Sequence, residues 1–279
     1  MSHEGPRAPG FDPWPVHGDQ GLFIMHRSNG SRLGTVVCVH GTLDRGGSFA
    51  RIARRLEGAE VVAYDRRGYQ GSRDLGPARD LSAHVNDLVD VIAEVRGDGP
   101  LTVVGHSFGA VIALRAGIDA PGAIDNLVVY EPPLPWLSDR VNTHRGVPLS
   151  DEPDLEVERF FRRMVSSEAW DRLSDGERAS RLADGPALVS DLTIVRMETP
   201  FRLDEVATLD VPLTVVHGSK SALSHHVAAA TAMSNSAQAS RLITIEGAGH
   251  GAHLSQPDSL STVIAESIED PPEEDQCAS

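Results

Sequence analysis

Leu101-Thr-Val-Val-Gly105-His106-Ser107-Phe108-Gly109-Ala-Val-Ile-Ala-Leu-Arg-Ala116 changes character at a single residue. The apolar run Leu101 to Val104 predicts a buried strand, and the run from Phe108 onward predicts a helix rich in small residues. Ser107 falls on the turn between them. A serine on so sharp a strand-to-helix turn is held in a strained backbone conformation. Its hydroxyl projects clear of the sheet, at the positive end of the helix that follows. Gly105 and Gly109 belong to the same turn, because side chains there collide with the turn and with neighbouring strands. The pattern G-x-S-x-G is common by itself. The strand before it and the helix after it make Ser107 a candidate nucleophile.

A serine hydroxyl is a weak nucleophile and needs a base. His250 is the candidate, in Glu246-Gly-Ala-Gly-His250-Gly-Ala-His253-Leu-Ser-Gln-Pro257, directly after the apolar run Arg241 to Ile245. A histidine on a Gly-rich loop just past a strand can reach a serine hydroxyl. The order, serine first and histidine last, agrees with a nucleophile at a strand-to-helix elbow. His253, three residues on, is read as packing or capping the helix that begins near Pro257.

These segments give the chain a resemblance to the α/β-hydrolase fold superfamily over nearly its whole length. Val36-Val-Cys-Val-His40-Gly41-Thr42 resembles the strand and His-Gly turn that place an oxyanion hole. Val61-Val-Ala-Tyr-Asp65-Arg66-Arg-Gly68-Tyr-Gln-Gly71-Ser72 resembles the segment after the next strand. Gly105 to Gly109 matches the elbow, and Gly247 to His250 matches the histidine loop. The resemblance implies an α/β fold with a mostly parallel, doubly wound sheet and an inserted helical cap. It fixes the fold far more tightly than the substrate.

The resemblance also implies a catalytic acid, and here the sequence departs from the pattern. An aspartate is expected three residues after Gly218 in His217-Gly218-Ser219-Lys220-Ser221, and that position holds Ser221. No acid lies between Val211 and Val227. Glu131, at the end of Asn126-Leu-Val-Val-Tyr-Glu131, is the best replacement. It sits at the carboxyl end of a strand, beside the other candidates. Some members of the fold take their acid from this preceding strand. Asp210 precedes its strand and belongs to the opposite edge, and Glu246 shares the histidine's own loop and is a weaker choice. A carboxylate from either strand can fix the tautomer of His250 and stabilise its imidazolium. The oxyanion hole needs two backbone N–H groups. Phe108, the residue after the nucleophile, gives one, and the resemblance puts the other at Thr42 or Leu43. His40, Asp65 and Arg66 are read as structural, shaping and bracing their turns.

The alternation of apolar strands at 22–27, 35–40, 60–65, 101–105, 126–131, 211–217 and 241–246 with helices at 47–57, 82–96, 108–119, 225–234 and 257–268 predicts a sheet covered on both faces. Residues 1–20 are rich in Pro and Gly and read as loosely ordered, as does the acidic tail Glu266 to Asp275. The gap from Glu131 to Val211 breaks the alternation. Leu155 to Val165 is amphipathic, Ser174-Asp-Gly-Glu177 reads as a capping box, and Gly185-Pro186 opens a helix to Met197. The expected division is a hydrolase core at 1–133 and 207–279, with a helical cap at 134–206 that shapes the pocket. Trp136, Phe160, Phe161, Met164, Trp170 and Met197 are pocket candidates, most of them read as cap core.

The 279 residues carry a formal net charge of −15, which repels nucleic-acid phosphates and anionic membranes. No run of the sequence is long enough to span a bilayer. The first residues have no apolar signal core, and the two cysteines, Cys38 and Cys277, are poor disulfide partners, so a cytoplasmic location is expected. His217, His225, His226, His250 and His253 have no cysteine or close acid to complete a metal site, so neither a metal nor a cofactor is expected. Nothing matches a phosphate loop or dinucleotide fingerprint. The expected protein is a monomer or homodimer acting on a small acyl substrate: an ester, thioester or lactone. Carbon–carbon bond hydrolysis or other cofactor-free chemistry on the same residues, a slow or non-catalytic ligand binder, and an accessory subunit are the alternatives.

Overall fold

The structure, a computed structural model, describes residues 9–14, 21–137, 149, 151–221 and 224–273, with the side chains of 224–226 and 229 outside that set. Cys277 and most of residues 1–20 therefore lie outside the described residues, as does the end of the acidic tail. Among the described residues, eight strands form one sheet: β1 (Asp12–Pro13), β2 (Ile24–Ser28), β3 (Thr35–Val39), β4 (Glu60–Tyr64), β5 (Leu101–His106), β6 (Asn126–Tyr130), β7 (Leu213–Gly218) and β8 (Ser240–Ile245). Their order is β1-β2-β4-β3-β5-β6-β7-β8. The β1–β2 and β2–β4 pairs are antiparallel, and every other pair is parallel.

The helices are α1 (Ala50–Ala53), α2 (Leu81–Val95), α3 (Phe108–Asp119), α4 (Pro153–Met164), α5 (Ser167–Asp171), α6 (Asp175–Leu182), α7 (Gly185–Met197), α8 (Leu203–Val206), α9 (Ser224–Ser236), α10 (Ala252–Ser255) and α11 (Pro257–Glu269). Strand residues alternate between the two faces, as the pleat requires. Val37, Val39, Val62, Val103, Val129 and Val215 pack with α2, α3 and Met233 of α9 on one face. Val36, Cys38, Val61, Val104, Val128 and Val216 pack with Phe49, α1, α10 and α11 on the other. Central strands buried on both sides read as continuous apolar runs, which is why they stood out in the sequence.

The helix expected at 47–57 is shorter. A 3-10 turn over Gly46–Phe49 leads into α1, and Gly58, with φ +80°, reverses the chain into β4. The strand expected from 211 starts at Leu213, after a proline that has no N–H for the ladder. β1, α5, α8 and α10 have 2, 5, 4 and 4 residues, too short to carry a periodic signal. Between β6 and β7, α6 starts with the capping box of Ser174 and Glu177, and α7 has Pro186 in its first turn. Val157, Phe161, Trp170 and Leu188 of these helices form a small core of their own, joined by Leu43. Phe201 and Val206 pack in the main core instead, and Met197 is exposed.

Candidate active site

Ser107 joins β5 to α3 with φ 54° and ψ −123°, a left-handed conformation that costs a non-glycine residue about 1–3 kcal/mol. Its N–H donates to the Tyr130 carbonyl at 2.9 Å, which ties the elbow to the end of β6. The two glycines behave as the sequence predicts. A Cβ on Gly105 would lie 2.5 Å from Ala110 Cα, and one on Gly109 would lie 2.2 Å from the Val39 carbonyl oxygen. Across the turn, a Cβ on Gly41 would come within 2.9 Å of Ser107 Cβ. The His-Gly turn after β3 therefore lies directly against the serine. Of the four described non-glycine residues with positive φ, three are at this place: Leu43, Ser107 and Glu131.

Glu131 follows β6, with its side chain fully covered. One carboxylate oxygen accepts the Gly218 N–H at 2.9 Å, and the other meets His250 Nδ1 at 2.7 Å. The backbone reason is plain: Glu131 N–H donates to the Val216 carbonyl at 3.0 Å, so the residue continues the ladder for one step before it turns. Burial alone would raise the Glu131 carboxyl. The hydrogen bond from His250 and the Gly218 amide outweigh it and hold the group below its ordinary value. Ser221, at the position where the aspartate is missing, lies within electrostatic reach of this carboxylate. His250 sits on the loop between β8 and α10, which is braced by the Lys220 N–H on the Ala248 carbonyl at 2.8 Å and by Tyr130 Oη on the Gly249 carbonyl. Its ring centroid lies 4.8 Å from that of His106, the neighbour of Ser107.

His40 is structural. Its Nδ1–H donates to the Gly41 carbonyl at 2.8 Å, and its Nε2 accepts the Arg66 N–H at 2.9 Å. Burial, and then the Arg66 charge, push the imidazole down to about 3, so it stays neutral. Asp65 braces its loop by accepting the Gly46 and Gly71 amides at 2.9 and 3.0 Å.

Arg66 reaches further than a brace of its own loop. Fully buried, it donates to Asp191 of α7 at 2.7 and 3.2 Å and to the His40 and Gly41 carbonyls. Asp191 also accepts from Thr42 Oγ1 at 3.0 Å and Tyr69 Oη at 2.7 Å, and His84 Nε2 lies 3.1 Å from it. The Tyr69 hydroxyl in turn accepts the Leu43 N–H at 3.4 Å. A single buried carboxylate thus links α7 to the turn at 41–43. Sequence reasoning missed Asp191 because it is an ordinary polar residue on a helix 125 positions from Arg66.

His217 bonds Thr244 Oγ1 at 2.9 Å, and the side chains of His225 and His226 lie outside the described residues. His253 packs, as expected, stacked on Phe49 with centroids 5.3 Å apart, but it does not cap α11. The acidic neighbour that the sequence seemed to lack is Asp44, 3.2 Å from His253 Nε2. Cys38 is buried, and burial pushes its thiol well above the ordinary range. Among the described residues no helix is long and apolar enough to cross a membrane.

The chain resembles several known proteins over parts or most of its length. LipV, a lipase of Mycobacterium tuberculosis, is 32% identical over 97 residues, which cover 35% of this chain and 36% of that protein. Human monoglyceride lipase is 27% identical over 128 residues, 43% of this chain and 42% of the lipase. The chain matches less than half the length of each of these relatives. Among solved structures, the CarC enzyme, a serine hydrolase involved in carbazole degradation, superposes with a TM-score of 0.71 at 16% identity, over 93% of this chain and 99% of that one. The profile of the alpha/beta hydrolase family matches residues 36–262, and the chain belongs to that family.

Proposed function

We propose that the protein is a serine hydrolase that cleaves a small ester, thioester or lactone through an acyl-enzyme. The observation that carries this reading is the 2.7 Å contact between Glu131 and His250 Nδ1. It supplies the carboxylate that Ser221 cannot. A carboxylate on Nδ1 keeps the proton there, so Nε2 presents its lone pair as a base. In this reading Ser107 Oγ attacks the carbonyl carbon while His250 Nε2 takes its proton. The tetrahedral intermediate then expels the alcohol, thiol or lactone hydroxyl, which His250 protonates. Water, deprotonated by His250, releases the acid and restores Ser107.

The amides of Phe108 and Thr42 hold the oxyanion. Phe108 opens α3, so its N–H has no carbonyl one turn back within the helix. Between Thr42 and Leu43, Thr42 is favoured, because the Leu43 amide already donates to Tyr69. Helices α4–α7 act as the cap. Leu43, adjacent to Thr42, packs against their apolar core, and this supports an acyl group lying beneath them. The missing aspartate at 221 was the feature favouring a non-catalytic binder, and the Glu131 contact supports turnover instead. Ser107→Ala should reduce hydrolysis of short-chain aryl esters to background. A variant that kept wild-type turnover would contradict the reading.

A further inference from the structure

Asp44, His106 and His253 come together from three places in the chain. They lie on the turn after β3, at the last residue of β5 and in α10. One ligating atom from each lies within 4.8 Å of the others. Asp44 Oδ2 is 3.2 Å from His253 Nε2 and 3.9 Å from His106 Nδ1. Both imidazoles are buried, 7% and 2% exposed, with ring centroids 4.4 Å apart.

The hydrogen bonding of this cluster is incomplete. His106 Nε2 lies 2.8 Å from the His250 carbonyl, an acceptor only, so Nε2 must carry the proton. His106 Nδ1 then presents a lone pair toward the Asp44 carboxylate, which is also an acceptor. Among the described residues, His106 Nδ1 and His253 Nδ1 have no hydrogen-bond partner, and His253 Nε2 has only the Asp44 carboxylate at 3.2 Å. Two of these nitrogens, His106 Nδ1 and His253 Nε2, face the Asp44 carboxylate from buried rings, and a cation between the three groups would satisfy them together. We propose that Asp44 Oδ2, His106 Nδ1 and His253 Nε2 bind a borderline divalent transition-metal ion of the Zn²⁺ class.

Bonds of about 2.0–2.2 Å in a tetrahedron put ligand atoms about 3.3 Å apart. The two separations from Asp44 Oδ2 bracket that distance, and the two imidazole nitrogens, within 4.8 Å of each other, would draw together on the ion. Two imidazoles and one carboxylate favour Zn²⁺ or Co²⁺ over Mg²⁺ and Ca²⁺, which take oxygen sets. The outer contacts are also those of a metal site. The His106 N–H on the His250 carbonyl fixes that ring, and Ser48 Oγ donates to Asp44 Oδ2 at 3.0 Å. Water completes the fourth position.

The test is a titration of metal-free protein with Co²⁺, reading the visible absorption of tetrahedral cobalt. It is run on wild type, Ser107→Ala, Asp44→Asn and His253→Asn, with circular dichroism to confirm each fold. One equivalent bound by wild type and by Ser107→Ala, and weakened at least tenfold in Asp44→Asn, is the expected result. Asp44 is partly exposed, so its variant reports even if His253→Asn does not fold. Ser107→Ala binds whether or not the protein is a hydrolase, which separates the metal site from the catalytic reading. No cobalt spectrum from folded wild type, or one unchanged in Asp44→Asn, overturns the proposal. The first outcome leaves a proton as the occupant, and the second places the ion elsewhere.

Discussion

Glu131 is held at φ 46° with its carboxylate divided between the Gly218 amide and His250 Nδ1. This division makes the residue sensitive to a change of one atom. Glutamine can still accept from Gly218 with its amide oxygen. Its NH₂ group then faces Nδ1 and forces the other imidazole tautomer, with the proton on the nitrogen that must act as base. Glu131→Gln should lower kcat for ester hydrolysis by about 10³–10⁴-fold with little change in KM, the scale lost when a triad acid becomes an amide. Steady-state kinetics on folded variant protein checks this, and an unchanged kcat removes Glu131 from the mechanism. Glu131 was legible in the sequence because it directly ends an apolar run. Asp44 and His106 were not, since the carboxylate and the nitrogens meet only after the sheet is assembled.

Helix α7 is joined to the rest of the molecule through two buried carboxylates. Asp184 accepts from Arg73 at 2.6 Å and from the Gln70 amide at 3.2 Å, and Asp191 collects Arg66, Tyr69 and Thr42. Burial would raise the Asp191 carboxyl, but the Arg66 charge and the His84 hydrogen bond hold it well below the ordinary range. Removing this carboxylate leaves the Arg66 guanidinium buried without its counter-charge. The cost expected is about 3–5 kcal/mol. Asp191→Ala should lower the unfolding free energy by that amount, read as a lower urea midpoint at unchanged m-value. A shift below about 1 kcal/mol would show that water replaces the contact.

The body of α4, the start of α6 and the extent of α7 could be read from apolar spacing, the capping box and Pro186. The link from α7 to the turn at 41–43 could not, because its signal is a pairing between distant polar residues.

The whole molecule holds several ionisable groups away from their solution behaviour, and these set its response to acid. Burial keeps His40 and His84 neutral in the folded state, with His40 at about 3 against 6.5 in the unfolded chain. The unfolded chain therefore binds protons that the folded one refuses, and stability falls as pH drops below 6.5. Glu131 and Asp191 act in the same direction lower down. Their folded values are depressed, so their contribution is present above the ordinary carboxylate range and is lost as pH falls through the folded values. Asp65 opposes them, since burial pushes it up to about 6 and its protonation between that value and 3.8 favours the fold. With His40, His84 and His106 held down against Asp65 and Glu198 held up, the urea midpoint should decline from pH 6.5 to 4.5 and more steeply below. A flat or rising midpoint over that interval would contradict the burial described. The mostly parallel sheet covered on both faces was predictable from the alternation of apolar runs, whereas the strand order and these pKa directions depend on tertiary packing that no local pattern encodes.

The central claim is that Ser107 is an activated nucleophile supported by His250 and Glu131. Its most direct test is the rate of covalent modification by a fluorophosphonate probe, read by intact-protein mass and peptide mapping. The account predicts one adduct on Ser107 in the wild type, none in Ser107→Ala, and a much slower adduct in Glu131→Gln. Folded wild-type protein that takes no adduct, or takes it at a residue other than Ser107, would contradict it.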